Sequence, residues 1–196
     1  MRYLKGVPED FLRETFAYDP TSPSGLVHLR IKHFHRKHAG LRRKCAGTLT
    51  FLGYWKVAVN YNGKAFGLRA HRVVYLLCTG VDIEGMQVDH IDNNRSNNIF
   101  ENLRACTKSQ NDWNRKLTRP TNTGIKGLCE NTKNRSFLAR VSSQRKSHHK
   151  VFSYGRKATD AQKAEAKANA IAWLRKTRER LHGGFANHGD EGTGDA

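Results

Sequence analysis

Residues 88–104 of this 196-residue chain read VDHIDNNRSNNIFENLR, and residues 107–114 continue with TKSQNDWN. The stretch opens on a short apolar–polar alternation, passes through an Asn-rich segment typical of turns, and returns through a second short run. We predict a first strand over residues 87–91, a second strand over residues 102–106, and then a short helix that Thr107 caps. The pattern therefore predicts strand, turn, strand and helix in that order.

The polar side chains of this stretch suit the hydrolysis of a phosphodiester. Asp89 offers a carboxylate oxygen and Asn111 an amide oxygen, and Mg²⁺ is commonly held by one or two protein oxygens together with water and phosphate. His90, with an ordinary pKa near ~6.5, is able to take a proton from water near neutral pH. Asn102 is a candidate to hydrogen-bond the His90 ring and fix its tautomer. These roles together describe hydrolysis assisted by one metal ion.

The residues alone leave a structural interpretation open. Alternation places Asp89 and His90 on opposite faces of an ideal strand, so both serve one site only if the strand ends or twists there. An isolated Asp–His pair beside a turn is more often structural than catalytic, because Asp and Asn are ordinary turn residues.

The spacing of these residues resembles the HNH nuclease motif, and in particular its phage and homing-endonuclease branch. The matching positions are Asp89, His90, Asn102 and Asn111, and the segment HRVVY at 71–75 resembles the helix that precedes the motif. The resemblance implies a ββα-metal nuclease module with His90 as the general base and Asn102 as the residue that positions the His90 loop. It further implies that Asp89 and Asn111 bind a divalent metal, with Mg²⁺ expected and Mn²⁺ as the alternative.

The C-terminal part has a second pattern, a three-stranded sheet followed by a helix. We predict strands over residues 125–129, 136–142 and 150–154, and a helix over residues 159–182 that opens with a capping box. The pattern resembles an AP2-type DNA-binding domain, in which such a sheet enters the major groove and the helix packs behind it. Two residues depart from the family, since Phe137 stands where Trp is usual and Gly184 where an acidic residue is expected.

Alternation along the middle strand predicts that Phe137, Ala139 and Val141 face the helix, with Arg140 on the other side. The helix residues expected on one buried face are Ala161, Ala164, Ala168, Ile171, Leu174 and Leu181. The cations expected to contact DNA are Arg95, Arg104, Lys126, Arg135, Arg140, Arg145, Lys146 and Lys150. A basic sheet that only faces solvent is the alternative.

Composition points to a polyanionic partner. The chain has 35 Lys and Arg against 17 Asp and Glu, a formal net charge of +18, and a sequence pI of about 10.2. Such a balance is typical of nucleic-acid binding, and the basic, His-rich segment 30–44 is expected to be an arm on the DNA backbone rather than a metal site. No apolar run is long enough for a membrane span, and the N-terminal residues do not resemble a signal peptide. We therefore expect a cytoplasmic protein, in the host cytoplasm if a phage encodes it.

The expected fold class is α+β. A small β-rich region and the HNH module occupy residues 1–116 with the motif core at 86–116, a linker covers 117–124, the AP2-like domain covers 125–187, and a flexible tail covers 188–196. The expected activity is a metal-dependent endonuclease acting on double-stranded DNA, as a monomer or a DNA-induced dimer, that nicks or cuts both strands. The alternatives are a DNA-binding regulator that no longer cuts and an RNA-binding basic protein.

Overall fold

The computed structural model describes residues 3–29, 45–81, 83–117, 121–144 and 146–189. The predicted basic arm at 30–44, the predicted DNA contact Arg145 and most of the predicted tail lie outside the described residues. The chain divides into two units, Met1–Thr107 and Lys108–Ala196. The division places the helix that carries Asn111 in the second unit. The predicted domain boundaries rest on composition and resemblance, and they stay a prediction.

In its described residues, the first unit combines short antiparallel strands with two α-helices. Its elements are β1 (Tyr3–Leu4), β2 (Val7–Pro8), α1 (Glu9–Thr15), β3 (Phe16–Tyr18), β4 (Leu26–His28), β5 (Thr48–Leu49), β6 (Trp55–Tyr61), β7 (Lys64–Arg69), α2 (Ala70–Thr79), β8 (Gln87–His90) and β9 (Leu103–Cys106). Strands β5, β6 and β7 form one sheet, while β1–β2, β3–β4 and β8–β9 are two-stranded pairs.

The hairpin β6–β7 is the most clearly encoded element of this unit. Its two-residue turn is Asn62-Gly63, and both residues have positive φ, 50° and 75°. Asn-Gly favours this turn because both residues tolerate the left-handed region, and the turn matches the twist of the strands. This hairpin is thus encoded locally, by the two residues of its turn.

Helix α2 lies at the centre of the first unit. Its apolar side chains Val73, Val74 and Leu76 are fully buried in the core with residues of α1 and of strands β3, β4, β6 and β7. The helix ends at Gly80, whose left-handed φ of 61° lets its N–H bond the carbonyl of Leu76. This packing fixes the helix that carries His71.

The second unit contains α3 (Lys108–Asn114), β10 (Leu128–Asn131), β11 (Ser136–Ser143), β12 (Lys146–Ser153) and α4 (Asp160–His182). The strands pair antiparallel in chain order, and α4 packs on the sheet. Phe137, Ala139 and Val141 are buried in the core beside α4, as the alternation predicts. The Thr159 side chain and Gln162 form the predicted capping box at the start of α4.

The predicted buried face of α4 is confirmed only in its C-terminal half, where Ile171, Leu174 and Leu181 pack in the core with the sheet. Ala170, Leu174 and Thr177 are buried, whereas the alanines at 161, 164 and 168 are exposed. Alanine is common on both the exposed and the buried face of a helix, so the spacing of alanines does not predict which face packs on the sheet. The chain is a mixed α and β fold, as expected, but these elements do not by themselves establish an AP2-type domain. None of the helices in the described part of the chain has the length and apolar character needed to cross a membrane.

Candidate active site

His90 is the last residue of β8, and the chain turns sharply after it. The N–H of Ile91 bonds the carbonyl of Asn102 across the β8–β9 pair, and the N–H of Asn93 bonds the carbonyl of His90. Asn93 has a positive φ of 62°, which Asn tolerates better than most residues. Asp89 and His90 are both buried, with 6% and 5% of their surface exposed.

Asn98 fixes the tautomer of His90. The Nδ2 of Asn98 donates to the carbonyl of Ser24 at 2.9 Å, so its Oδ1 is the atom that faces Nε2 of His90 at 3.0 Å. An amide oxygen only accepts, and Nε2 therefore carries the proton. The lone pair of the neutral ring then lies on Nδ1. Asn98 is 2% exposed, so this contact is part of the packed interior.

A second histidine packs against the first. The rings of His71 and His90 meet edge to face with centroids 4.7 Å apart, and the Tyr54 ring lies 5.6 Å from His71 and 6.2 Å from His90. Among the described residues, the buried Nδ1 of His71 has no hydrogen-bond partner. The guanidinium groups of Arg69 and Arg95 lie over the Tyr54 ring, 4.3 Å and 5.1 Å from its centroid.

Burial keeps both imidazoles neutral. It lowers the pKa of His71 to about 3, and the nearby His90 ring and Arg72 guanidinium act in the same direction. Burial also lowers the pKa of His90 below its usual range, although the hydrogen bond to Asn98 and the nearby carboxylates of Asp92 and Asp89 oppose the shift. At neutral pH the His90 ring is therefore ready to accept a proton.

Asn102 braces the loop that follows His90. Its Nδ2 donates to the Asp92 carboxylate and to the Asn97 carbonyl, both at 2.9 Å, and its Oδ1 accepts the N–H of Asp92 at 3.0 Å. Burial tends to raise the pKa of Asp92, but these hydrogen bonds and those from Asn97 and Asn94 lower it overall. The geometry agrees with the loop-positioning role that the resemblance implies. The ring contact considered for Asn102 is made instead by Asn98.

Asp89 faces Arg104 across the β8–β9 pair. Nε and Nη2 of Arg104 donate to Oδ2 of Asp89 at 3.1 Å and 3.0 Å. The two residues are direct partners in the strand register, so their side chains share one face. The predicted DNA contact Arg104 thus lies beside Asp89 and neutralises its charge within the site.

Comparison with known proteins identifies the family. Residues 68–112 match the HNH_3 family, described as HNH endonuclease. The chain is 30% identical over 118 residues to Protein 3.8 of Escherichia phage T7, an alignment that covers 60% of this chain and 88% of the phage protein. The chain contains an HNH endonuclease domain.

Two further relatives are similar over shorter stretches. The chain is 37% identical over 83 residues to the uncharacterized HNH endonuclease L560 of Acanthamoeba polyphaga mimivirus, covering 41% of this chain and 42% of that protein. It is 38% identical over 60 residues to DNA endonuclease I-HmuI of Bacillus phage SP01, covering 30% of this chain and 34% of that protein. No solved structure matched the chain. The family match ends at residue 112, before the strands of the second unit.

The HNH match includes both residues proposed as metal ligands. The buried carboxylate of Asp89 is a hard oxygen donor, the kind that Mg²⁺ and Mn²⁺ prefer. Asn111 lies in α3 of the second unit. Among the described residues, no group of three or more His, Cys, Asp and Glu side chains lies together so as to hold a metal. The donor chemistry fits a hard divalent ion that takes its remaining ligands from water and phosphate.

The predicted DNA contacts in the second unit do not share one face of the sheet. Arg140 of β11 pairs with His149, on the side away from α4. Lys150 pairs with the buried Ala139, and directly opposed side chains lie on the same face, so Lys150 lies on the α4 side. Lys146 is on that side too, because it pairs with the buried Ser143. Arg140 is therefore the predicted strand cation on the outer face.

Two other predicted contacts have partners within the second unit. The Lys126 ammonium donates to the carbonyls of Trp113 and Arg115 at 2.8 Å and 2.6 Å, and burial lowers the pKa of Lys126 to about 8. Nη1 of Arg135 donates to the carbonyl of Arg156 at 3.0 Å, although the residue remains exposed. Lys126 is thus a structural cation rather than an exposed one, because a charge so placed must be hydrogen-bonded.

The residues that sequence reasoning missed are Asn98, His71 as a ring partner and Arg104 as the partner of Asp89. Asn98 stands in a run of asparagines, and nothing in the sequence separates it from its neighbours. His71 carried a signal, because the segment at 71–75 matches the helix that precedes the HNH motif.

Proposed function

We propose that this protein is a metal-dependent DNA endonuclease of the phage and homing type. The observation that carries the proposal is the neutral, buried His90 ring whose Nε2 proton is held by Asn98. A ring fixed in this way presents one defined nitrogen, Nδ1, as a base. Asp89 lies next to it in the chain, within the segment that matches the HNH family.

In the proposed reaction, Nδ1 of His90 takes a proton from a water molecule. The water oxygen forms a bond to the phosphorus atom, and the bond from phosphorus to the 3′ oxygen breaks. A divalent ion held by Asp89 and Asn111 would supply positive charge to the leaving oxygen. Asn98 holds the ring orientation, His71 packs against the ring, and Asn102 holds the loop.

The second unit is proposed to supply DNA affinity and some sequence preference, as an AP2-like domain would. The exposed Arg140 on the outer face of the sheet supports this role, because Arg is the side chain that most often reads a guanine edge. Lys146 and Lys150 are exposed cations that suit phosphate contacts.

The test is a supercoiled-plasmid assay with wild-type protein and His90→Ala, each with Mg²⁺ and with EDTA. The plasmids carry fragments of the genome that encodes the protein. We expect nicked or linear DNA only for wild type with metal, and unchanged retardation of DNA by the variant. His148→Ala, which changes a histidine of β12 in the second unit, is the matched control and should cut normally. Cleavage by His90→Ala at the wild-type rate would remove His90 from the mechanism.

A second candidate is a DNA-binding protein that does not cut. The observation in its favour is the ion pair that sets the Arg104 guanidinium on Oδ2 of Asp89, the oxygen-bearing group proposed to bind metal. Retarded but uncut plasmid in every lane, with Mn²⁺ as well as Mg²⁺, would favour this candidate.

A further inference from the structure

The end of β5 and the turn that follows it expose an apolar tip formed by Leu49, Phe51 and Leu52. Phe51 is 97% exposed, and the two leucines are 50% and 47% exposed. Turns normally use Gly, Asn, Asp, Ser and Pro, and an exposed phenylalanine ring forgoes the large gain of burial. Single exposed apolar residues are ordinary, but three of them within four consecutive residues indicate a contact surface.

Hydrogen bonds within the turn hold the apolar tip. The N–H and the Oγ1 of Thr50 both donate to the carbonyl of Tyr54, at 2.8 Å and 2.9 Å. The N–H of Gly53 donates to the carbonyl of Thr50 at 2.9 Å, and Gly53 has a φ of 80° that favours glycine. The turn is thus closed by its own hydrogen bonds. Binding a partner should therefore cost the turn little conformational entropy.

The apolar tip lies beside the candidate active site. Tyr54, which closes the turn, has its ring against those of His71 and His90. Nη1 of Arg95 donates to the carbonyl of Leu52 at 3.3 Å, which ties the loop after His90 to the tip. Arg95 and Arg69 both lie over the ring of Tyr54, so two guanidinium groups lie next to the residue that closes the turn.

We propose that Phe51 is a wedge that inserts into a base step of duplex DNA next to the bond that is cut. The inference rests on the proposed function and adds how this site engages its substrate. Proteins that kink a duplex insert Phe, Leu or similar side chains between bases while nearby cations hold the phosphates. Phe51 is an exposed aromatic ring that could insert between bases, and Arg69 and Arg95, which lie over the Tyr54 ring, are cations that could hold phosphates. Unstacking there would open the backbone beside His90.

The test places a reporter at the tip. In Phe51→Trp, the indole replaces the ring, and stacking on a base quenches its fluorescence. The probe is a short duplex of mixed sequence in EDTA at low salt, so that binding is followed without cleavage. The chain has three tryptophans of its own, so each signal is compared with wild type. Val81→Trp is the matched control, because Val81 is an exposed apolar residue of the same unit at the end of α2.

We expect saturating DNA to quench Phe51→Trp beyond wild type, and to leave Val81→Trp like wild type. We also expect Phe51→Ala to bind the duplex about five- to a hundredfold more weakly at constant salt, the range found for losing one stacked base. The salt dependence of binding should stay unchanged, since no phosphate contact is lost. Because Phe51 is exposed, both variants should fold as wild type does.

Three results would overturn the wedge. The wedge would be refuted if Phe51→Ala bound the duplex as tightly as wild type in fluorescence anisotropy, and DNA quenched Phe51→Trp no more than wild type. The proposed endonuclease function would be unaffected by that result. Failure of the wild type to bind any duplex would refute both. A change in Phe51→Trp fluorescence that follows protein concentration without DNA, together with a dimer in sedimentation, would show that a second copy covers the tip.

Discussion

The candidate base His90 depends on Asn98, a residue that also contacts a distant part of the chain. Asn98 joins the ring of His90 to the carbonyl of Ser24, residues that lie 8 and 74 positions away in the chain. Its amide can point only one way, because one end must donate and the other accept. The tautomer of His90 is thus set by the packing of β4 and its preceding turn.

Asn98→Ala should slow cleavage by about tenfold or more, within the 10²–10⁴-fold that a positioned general base supplies. The reason is that Nε2 loses its acceptor, and the proton is then free to move to Nδ1. Nitrogen NMR shifts of the His90 ring should report the loss of the single tautomer. DNA retardation should be unchanged, since Asn98 is buried. Asn97→Ala, which changes a neighbouring loop asparagine that does not contact the ring, separates this effect from loosening of the loop. Equal cleavage by Asn98→Ala and wild type would contradict the assignment.

Sequence reasoning named the candidate residues of the motif itself and missed the residues that contact them only in the folded chain. Asp89, His90 and Asn102 follow from the motif, and all three lie at the β8–β9 pair. The Asp89–Arg104 ion pair could have been found only from the strand register. That register depends on how the loop between β8 and β9 folds, and sequence patterns do not predict the conformation of this loop.

At the scale of elements, α2 brings a buried histidine to the site. His71 has its pKa lowered to about 3, so the folded protein does not protonate it in mild acid, whereas the unfolded chain does near pH 6.5. Protons therefore favour the unfolded chain between these values. The stability contributed by neutral His71 is present above pH 6.5 and is lost as the pH falls toward 3.

We expect the free energy of unfolding of wild type to fall faster with acid than that of His71→Phe. The difference in slope should approach about 1.4 kcal/mol per pH unit below pH 6.5, the value for one proton. Urea unfolding at a series of pH values measures it, and the comparison of slopes is independent of any constant loss of stability in the variant. Parallel curves for the two proteins would show that His71 is not neutral in the folded state.

The elements with local signals were predicted well, and those shaped by packing were not. Asn62-Gly63 and the Thr159 capping box are encoded within a few residues. The N-terminal half of the buried face of α4 is not, because alanines occur all around that helix. Arg178 of α4 is buried, and its guanidinium donates to the carbonyls of Lys126 and His188. The spacing of apolar residues along the helix does not predict a buried arginine.

At the scale of the whole molecule, the proposed DNA binding should depend strongly on charge. A net charge of +18 favours the release of counterions when the protein binds DNA. If six or more phosphates are neutralised, affinity for a duplex should fall by about 10³-fold or more between about 50 and 200 mM salt. Anisotropy titrations over that range measure the slope. Lys150→Ala should make the salt dependence shallower by the contribution of about one phosphate. Arg140→Ala should weaken binding without changing the salt dependence if Arg140 reads a base. A slope near zero would contradict an electrostatic mode of binding.

Helix α3 is built into the second unit at its C-terminal end. Lys126 holds the carbonyls of Trp113 and Arg115, and the Trp113 ring stacks on His182 of α4 with centroids 4.5 Å apart. A chimera joined within the Pro- and Gly-containing stretch 117–124 would separate this helix from its lysine and its stacking partner. A graft that starts at Lys108 keeps them together. Recombination between related genes at that junction would transfer the proposed ligand Asn111 along with the proposed DNA-binding unit, so that both proposed roles would be inherited as one piece.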